Sequence, residues 1–434
     1  MRTVAMTTLG CKVNSYDTQV LLELFLARGY KSVDFSDVAD VYVINTCAVT
    51  NLADKKSRQM AGRARKANPD GIVVAMGCAT QASAGKYAEC GVDIVVGTTN
   101  RASIVDLVEE FENKQIVAIS DKILHDNTFE ASQSDFAGER TRAFLKIQEG
   151  CSNFCTYCVI PLVRGRSRSR NFDDILAQAQ AFAHAGYKEI VVAGIHVASY
   201  GNDLEGHNLI DALEKISEID GIKRVRLSSV EPMVVTDQFC EFLQKNPKFC
   251  EHLHLSLQSG SDTILKAMNR KYDTQAFFEA VAKLKDVAPK INLTTDIIAG
   301  FPGETETDHK ETMEFAKKIG FSKLHVFPYA AKDKTPAARM PGQIGKEIKT
   351  ARVKELLELS DILEEKYYQN FLGQVMSVLV EEKDKNGFWA GKTANYIQMN
   401  FSVSDAELEN EIVQVKLEKV VKNGISGTLL KKVL

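Results

Sequence analysis

No apolar run in this 434-residue chain approaches the roughly 20 residues a helix needs to cross a bilayer. No charged-then-apolar leader opens it either; the first residues go straight into a strand-like pattern. Both absences point to a cytoplasmic protein without a membrane anchor. An excess of positive charge is also missing: 54 Lys and Arg face 57 Asp and Glu, a formal net charge of −3. That excludes chain-wide electrostatic affinity for nucleic acid and leaves local patches as the only source of such contacts. With 44% apolar and 26% charged residues, the chain reads as an ordinary globular protein. Its length allows two or three domains. Nine cysteines in a reducing compartment argue for metal ligation over disulfides.

Six of those cysteines fall into two triplets. The first is local: Cys151, Cys155 and Cys158 follow a strand-like run, Ala143 to Ile147. Soft thiolates this close select zinc or an iron–sulfur cluster. A structural zinc wants four ligands, yet His184 is the first further Cys or His after Cys158. Three thiolates on a four-iron cubane leave one iron without a protein ligand, free to chelate a substrate. The CxxxCxxC spacing, with Tyr157 just before the last cysteine, resembles the radical S-adenosylmethionine (SAM) superfamily. That resemblance implies SAM on the open iron and Tyr157 near the adenine.

The second triplet is dispersed. Three β-prone runs, Thr3 to Thr8, Val41 to Ile44 and Ile72 to Met76, each lead into a cysteine: Cys11, Cys47 and Cys78. Helical patterns separate them, one expected from a cap at Asn14 or Ser15 to about Arg28, one from about Ala53 to Ala67. Strand–helix alternation implies a parallel, doubly wound sheet, whose strand C-termini share one edge. The three cysteines should therefore converge, and a second [4Fe–4S] cluster with an open iron is expected there; zinc with a further ligand is the alternative. The helix after Cys47 carries Lys55, Lys56, Arg58, Arg63, Arg65 and Lys66. It is either a solvated face or a track for RNA phosphates. Residues 118–140 read as a linker. Cys90, Cys240 and Cys250 read as core or incidental residues.

From about residue 141, six strand-like runs, most separated by helical patterns, suggest a partial (β/α)6 barrel with its ligand groups at the strand C-termini. Gly194, Gln258, Ser259 and Asp296 stand at such ends. Glycine permits close backbone approach, and the polar groups suit ribose, carboxylate or ammonium, so the rim reads as a cofactor pocket. His196 and His254 read as structural residues. Arg164, Arg166, Arg168 and Arg170 alternate; in an extended segment all would face one side, toward an anionic cofactor or RNA, or else lie as exposed loop charges. Beyond residue 372, five short strand patterns suggest a small OB-like barrel. Trp389 and Tyr396 there stack on bases or pack in its core.

The whole chain resembles the radical-SAM methylthiotransferase family. The marks are Thr8-Leu-Gly-Cys-Lys-Val-Asn14, Asn45-Thr-Cys-Ala-Val-Thr-Asn51, Met76-Gly-Cys78 and the cysteine loop, although Leu162 stands where Tyr is expected. The wording after the second cysteine, with Lys56-Ser-Arg-Gln59, is similar to the branch acting on N6-threonylcarbamoyladenosine in tRNA; branches acting on isopentenyladenosine or a ribosomal-protein aspartate are the alternatives. The resemblance implies an α/β architecture of three domains: residues 1–124 with the auxiliary cluster, 138–371 as the radical-SAM core, and 372–434 as a TRAM barrel. It also implies two [4Fe–4S] clusters, SAM, a tRNA anticodon arm held by the basic helix, the arginine run and the TRAM barrel, and a low-potential donor of flavodoxin or ferredoxin type. The sulfur source is left open. In the implied reaction a 5′-deoxyadenosyl radical takes hydrogen from adenine C2, a bond that acid–base groups alone do not break. Sulfur from the second site and methyl from another SAM then follow. The contrasting class is an iron–sulfur RNA-binding protein without turnover.

Overall fold

A computed structural model of the chain describes all residues except 113, 127, 131–140, 385–386, 404–406 and 433–434. Residues 127 and 131–140 of the expected linker 118–140 thus lie outside the described residues. No described helix is long and apolar enough to cross a membrane.

The N-terminal domain is a six-stranded parallel sheet of β1 (Thr3–Thr8), β2 (Lys31–Val33), β3 (Val41–Thr46), β4 (Ile72–Gly77), β5 (Ile94–Val96) and β6 (Ile116–Ala118), in the order β2-β1-β3-β4-β5-β6. Successive β3 side chains enter different cores. Val41 and Val43 pack with Leu21 and Phe25 of helix α1 (Lys12–Ala27), while Tyr42 and Ile44 pack with Ala61 and Ala64 of helix α2 (Asn51–Ala67). A strand covered on both faces has this near-continuous apolar run. The edge strands β2 and β6 are only three residues long and carry little periodic signal.

Helix α1 starts earlier than the capping pattern suggested. Cys11 occupies the N-cap position, and Asn14 lies inside the helix, donating from Nδ2 to Leu9 O at 2.8 Å and Thr46 O at 3.0 Å. Its amide ties two strand ends together, a stronger demand than capping because both carbonyls are removed from water.

The central domain carries β7 (Arg142–Glu149), β8 (Arg168–Ser169), β9 (Glu189–Gly194), β10 (Arg224–Leu227), β11 (His252–His254), β12 (Asn292–Ala299) and β13 (Lys323–Pro328). Strands β7, β9 and β10 form one parallel run and β11, β12 and β13 another, joined by bridges Val225–Phe249 and Val230–Leu255. The six make an open (β/α)6 wall; β8 adds antiparallel to the outer edge of β7. Ala143, Leu145 and Ile147 face the outer helices, whereas Phe144 meets Tyr16 and Val20 of α1. The N-terminal domain therefore packs on the inward side of the barrel.

Five strands close the C-terminal barrel in the order β14-β15-β16-β18-β17: β14 (Val375–Lys383), β15 (Phe388–Thr393), β16 (Gln398–Ser402), β17 (Ile412–Val421) and β18 (Gly424–Lys432). Gly391 allows the closure, since a Cβ there would lie 2.3 Å from Leu379 O. Trp389 is 2% exposed inside this core, which removes it as a base-stacking platform. Tyr396 is also committed. Its ring stacks on His252 at 4.6 Å, with the Arg226 guanidinium 4.7 Å from its centroid.

That turn docks the small barrel on the N-terminal ends of the central strands. Arg224 donates to Lys392 O and Ser377 O, Arg226 to Ala394 O, and Asn292 to Asn395 O. Arg226 also pairs with buried Glu189 at 2.8 Å. Arg226→Met leaves that carboxylate to Arg224, 3.7 Å away, and breaking a buried pair costs about 3–5 kcal/mol. We expect urea denaturation to register a loss of that size, with faster proteolysis near residues 370–374.

Candidate active site

The cysteine loop leaves β7 through Gly150, where φ is +69° and a Cβ would meet Arg166 O at 2.0 Å. Only glycine fits such a position. Backbone bonds then fix the loop: Cys151 N donates to Gly165 O, Thr156 N to Met268 O, and Ala337 N to Thr156 O. The cysteines follow one another closely, Cys158 N donating to Cys155 O at 3.0 Å. Arg270 Nη1 donates to Cys155 Sγ at 3.3 Å and its Nη2 pairs with Glu231 at 2.7 Å. Glu231 in turn accepts from Asn153 Nδ2 at 3.1 Å. Burial pushes the Cys151 thiol up to about 11 and the Cys158 thiol up to about 12.

Cys11, Cys47 and Cys78 end β1, β3 and β4, which are neighbours in the sheet. Their loops touch: a Cβ on Gly10 would stand 2.8 Å from Cys47 Sγ. Cys47 and Cys78 are buried and Cys11 is exposed. Burial raises Cys78 to about 12, with Cys11 and Cys47 adding to the rise through like-charge repulsion, which marks the three as close neighbours.

Arg164 joins the two sites. It is 1% exposed. Its Nε donates to Cys78 Sγ at 3.0 Å, Nη1 to Glu149 Oε1 at 2.9 Å, and Nη2 to Asn14 Oδ1 at 2.6 Å and Asp17 Oδ2 at 3.1 Å. Arg101 and Lys146 complete the charge balance around Asp17, each at 2.9 Å. The arginine run is thus not an RNA-facing ladder. Residues Ile160–Arg164 form a helical turn and β8 is a two-residue strand, so the alternation of an extended segment is broken. Arg164, Arg168 and Arg170 are buried and only Arg166 is exposed. Arg168 donates to Thr128 O and Arg164 O, and Arg170 to Gln178 and Tyr16.

Two cavities adjoin these sites. One, about 220 Å³, is lined by Tyr157, Gln258, Asp296 and Phe327 together with Val49 and Thr50. Gln258 holds φ +70° while its backbone bonds to Asp296 and Ile298, so three of the expected cofactor residues meet at one place. Two do not. Ser259 is buried and shares its hydroxyl with Thr312 Oγ1 at 3.2 Å, and Gly194 closes against Gln148 and Val197. The other cavity, about 420 Å³, is bordered by Ala48, Ala79 and Val159, the residues directly after Cys47, Cys78 and Cys158. Leu162 lines it as well. None of the six triplet cysteines is among its lining residues, but neighbours of both triplets are. Glu231 stands at an informative strand end in the sequence, but its pairing with Arg270 is not legible there, since a lone charge on a barrel loop carries no spacing signal.

Three family models match in succession: "Uncharacterized protein family UPF0004" over residues 3–97, "Radical SAM superfamily" over 145–316 and "TRAM domain" over 369–430. A Bacillus subtilis relative, threonylcarbamoyladenosine tRNA methylthiotransferase MtaB, is 43% identical over 96% of this chain and 94% of its own length. The chain belongs to the radical-SAM methylthiotransferases. An Aquifex aeolicus relative with the same name is 38% identical over 91% of this chain and 96% of its own length. A Thermodesulfovibrio yellowstonii tRNA-2-methylthio-N(6)-dimethylallyladenosine synthase is 34% identical over 99% of both. Among solved structures, the radical SAM methyltransferase TsrM from Kitasatospora setae superposes with a TM-score of 0.57 at 13% identity, over 78% of this chain and 77% of that one. That likeness concerns the fold.

Methylthiotransferases of this family are enzymes that carry two [4Fe–4S] clusters and use SAM, which sets the zinc alternative aside. The residues present fit that cofactor set. Each triplet offers three thiols, and one sulfur in each already accepts an arginine N–H, the outer-shell bond that suits a ligating thiolate. Among the described residues, no three His, Cys, Asp or Glu side chains gather tightly enough for a single metal ion. A cubane instead takes each thiolate at a separate iron.

The ion network has a pH signature. Burial pushes the Asp17 and Glu149 carboxyls up, but Arg164, Lys146 and Arg101 outweigh it and hold both below the usual carboxylate range. Depressed values stabilise the fold fully above the unfolded range near pH 4, and the contribution is lost as pH falls through the folded values. These groups should leave stability flat from pH 8 to about 5 and weaken it below about 4. Arg164→Met should move that acid loss to higher pH in denaturation series.

Proposed function

We propose that this methylthiotransferase acts on tRNA and places a methylthio group at C2 of N6-threonylcarbamoyladenosine. The observation that carries the reading is the end-to-end similarity to the Bacillus subtilis threonylcarbamoyladenosine enzyme, 43% over 96% of the chain. Arg164 supports it by tying Cys78 to Glu149 at the start of the cysteine loop, because hydrogen removal and sulfur delivery must reach the same carbon.

In this reading Cys151, Cys155 and Cys158 hold one cluster, and Cys11, Cys47 and Cys78 hold the other. Bound there, the clusters supply one-electron cleavage of SAM and the sulfur to be transferred, chemistry that no side chain provides. The chain's own residues position and shield. Tyr157, Gln258 and Asp296 line the cavity suited to SAM. Arg270 steadies Cys155 while Glu231 balances its charge. Arg164 does the same for Cys78 from the other side. On α2, Lys55, Lys56, Arg63 and Lys66 stay exposed and can follow RNA phosphates, whereas Arg58 and Arg65 are paired with Asp54 and Asp93. A loop base of the anticodon arm is already partly unstacked, so its entry into the cleft is inexpensive. A low-potential flavodoxin or ferredoxin would deliver the electron, and the cytoplasm suits both the tRNA and nine free thiols.

Nucleosides from tRNA of a deletion strain, with and without the gene restored, test this by mass spectrometry. The 2-methylthio-threonylcarbamoyl nucleoside should vanish and return; loss of a 2-methylthio-dimethylallyl nucleoside instead would reject the substrate. In reconstituted protein, Cys158→Ala should abolish 5′-deoxyadenosine release, whereas Cys78→Ala should keep it and lose only the methylthio product.

A further inference from the structure

The relatives divide by what their substrates carry on N6. A threonylcarbamoyl group ends in a carboxylate; a dimethylallyl group is hydrocarbon only. A site that chooses between them needs hydrogen-bond donors or positive charge for that carboxylate.

The loop after β13 supplies such a charge. It forms a wall common to both cavities, with Tyr329 and Ala330 lining the smaller and Lys332 to Lys334 the larger. Lys332 is half-buried, and its Nζ donates to Asn51 Oδ1 at 2.9 Å, a neutral partner. Lys332 enters none of the ion pairs among the described residues, although Asp54 and the exposed Asp333 beside it both act on its charge. Asp54, in the same cleft, already holds Arg58 and the Tyr87 hydroxyl. Burial lowers the Lys332 ammonium below its ordinary value, with Asp54 and Cys47 partly offsetting the loss of water. A partly desolvated ammonium with one neutral partner retains donors for an anion. Its backbone is fixed: Lys332 O accepts from both Thr335 N at 3.1 Å and Thr335 Oγ1 at 2.8 Å, and the next turn binds the cysteine loop through Ala337 N and Thr156 O. Lys334 alongside adopts φ +69°, rare for a residue with a Cβ. Ala48, Val159, Leu162 and Val163 line the same cavity beside the polar Arg58, Gln81 and Lys86. Its volume of about 420 Å³ falls in the range of small-molecule pockets, roughly 300–1,000 Å³.

We propose that Lys332, assisted by Lys334, binds the carboxylate of the threonylcarbamoyl arm and thereby selects that nucleoside over one with an apolar N6 group. This assignment rests on the substrate proposed above. A tRNA backbone phosphate offers the same anionic chemistry, and the test separates the two sources.

Reconstituted full-length enzyme is given tRNA carrying threonylcarbamoyladenosine and the same tRNA with the threonine carboxylate converted to its amide. Dissociation constants and kcat/KM are measured for both. The native protein should favour the acid about tenfold to hundredfold, the scale of one charge-assisted hydrogen bond. Lys332→Met should erase that preference, and Lys332→Arg should keep most of it. Iron content and melting temperature equal to the native protein's establish that a variant is loaded and folded; should Lys332→Met fail there, Lys332→Gln decides by the same comparison. An equal loss for acid and amide identifies a phosphate contact and overturns the assignment, as does an intact preference in the variant. If the native enzyme modifies only dimethylallyladenosine tRNA, the proposed substrate fails and this assignment falls with it. If it modifies the threonylcarbamoyl substrate with no acid preference, only this assignment falls.

Discussion

The Arg164 guanidinium sits where three parts of the chain meet: the strand-end cysteines, helix α1 and the last residue of β7. Removing such a group from water is expensive, and the cost is offset only because nearly every N–H finds an acceptor. Four side chains satisfy it, namely Cys78, Glu149, Asn14 and Asp17. Shifting the N-terminal sheet relative to the barrel would leave a buried cation facing buried carboxylates that no longer fit. The network therefore specifies register more than it adds stability. Because Glu149 directly precedes Gly150 and Cys151, the same register fixes where the cysteine loop begins relative to Cys78.

A second constraint comes from the open (β/α)6 wall. A full barrel fills its interior with its own side chains. Here the interior is shared with other domains: Tyr16 and Val20 of α1 pack on Phe144 and Val191, and Tyr396 of the small barrel lies on His252. The strand C-termini stay available for loops, and every chemically distinctive loop uses them. The cysteine loop, the Gln258 turn and the Lys332 segment all follow central strands on that side.

Much of this was legible in the sequence, and the reasons differ by element. The spacing of Cys151, Cys155 and Cys158 is local chemistry, whereas Cys11, Cys47 and Cys78 could be grouped only through the strand–helix alternation that puts strand ends on one edge. The run Thr3–Thr8 has the bounds that its pattern implied. Burial of charge was not legible. A guanidinium looks the same in sequence whether it meets solvent or, as with Arg164 and Arg170, a carboxylate or amide from a distant segment. Trp389 and Tyr396 posed the same ambiguity, settled by barrel closure and domain docking. Strands β2 and β6 form only because a sheet edge recruits three residues, a tertiary effect that propensity does not register.

The placement of the small barrel has a consequence for the polynucleotide. It is mounted on the strand N-termini, at the other end of the central wall from the thiol triplets. The eight residues of β12 span that wall, roughly 26 Å at about 3.3 Å each. A free nucleoside can occupy one end only. An RNA reaching both ends would have to span that height, a length no single nucleoside has.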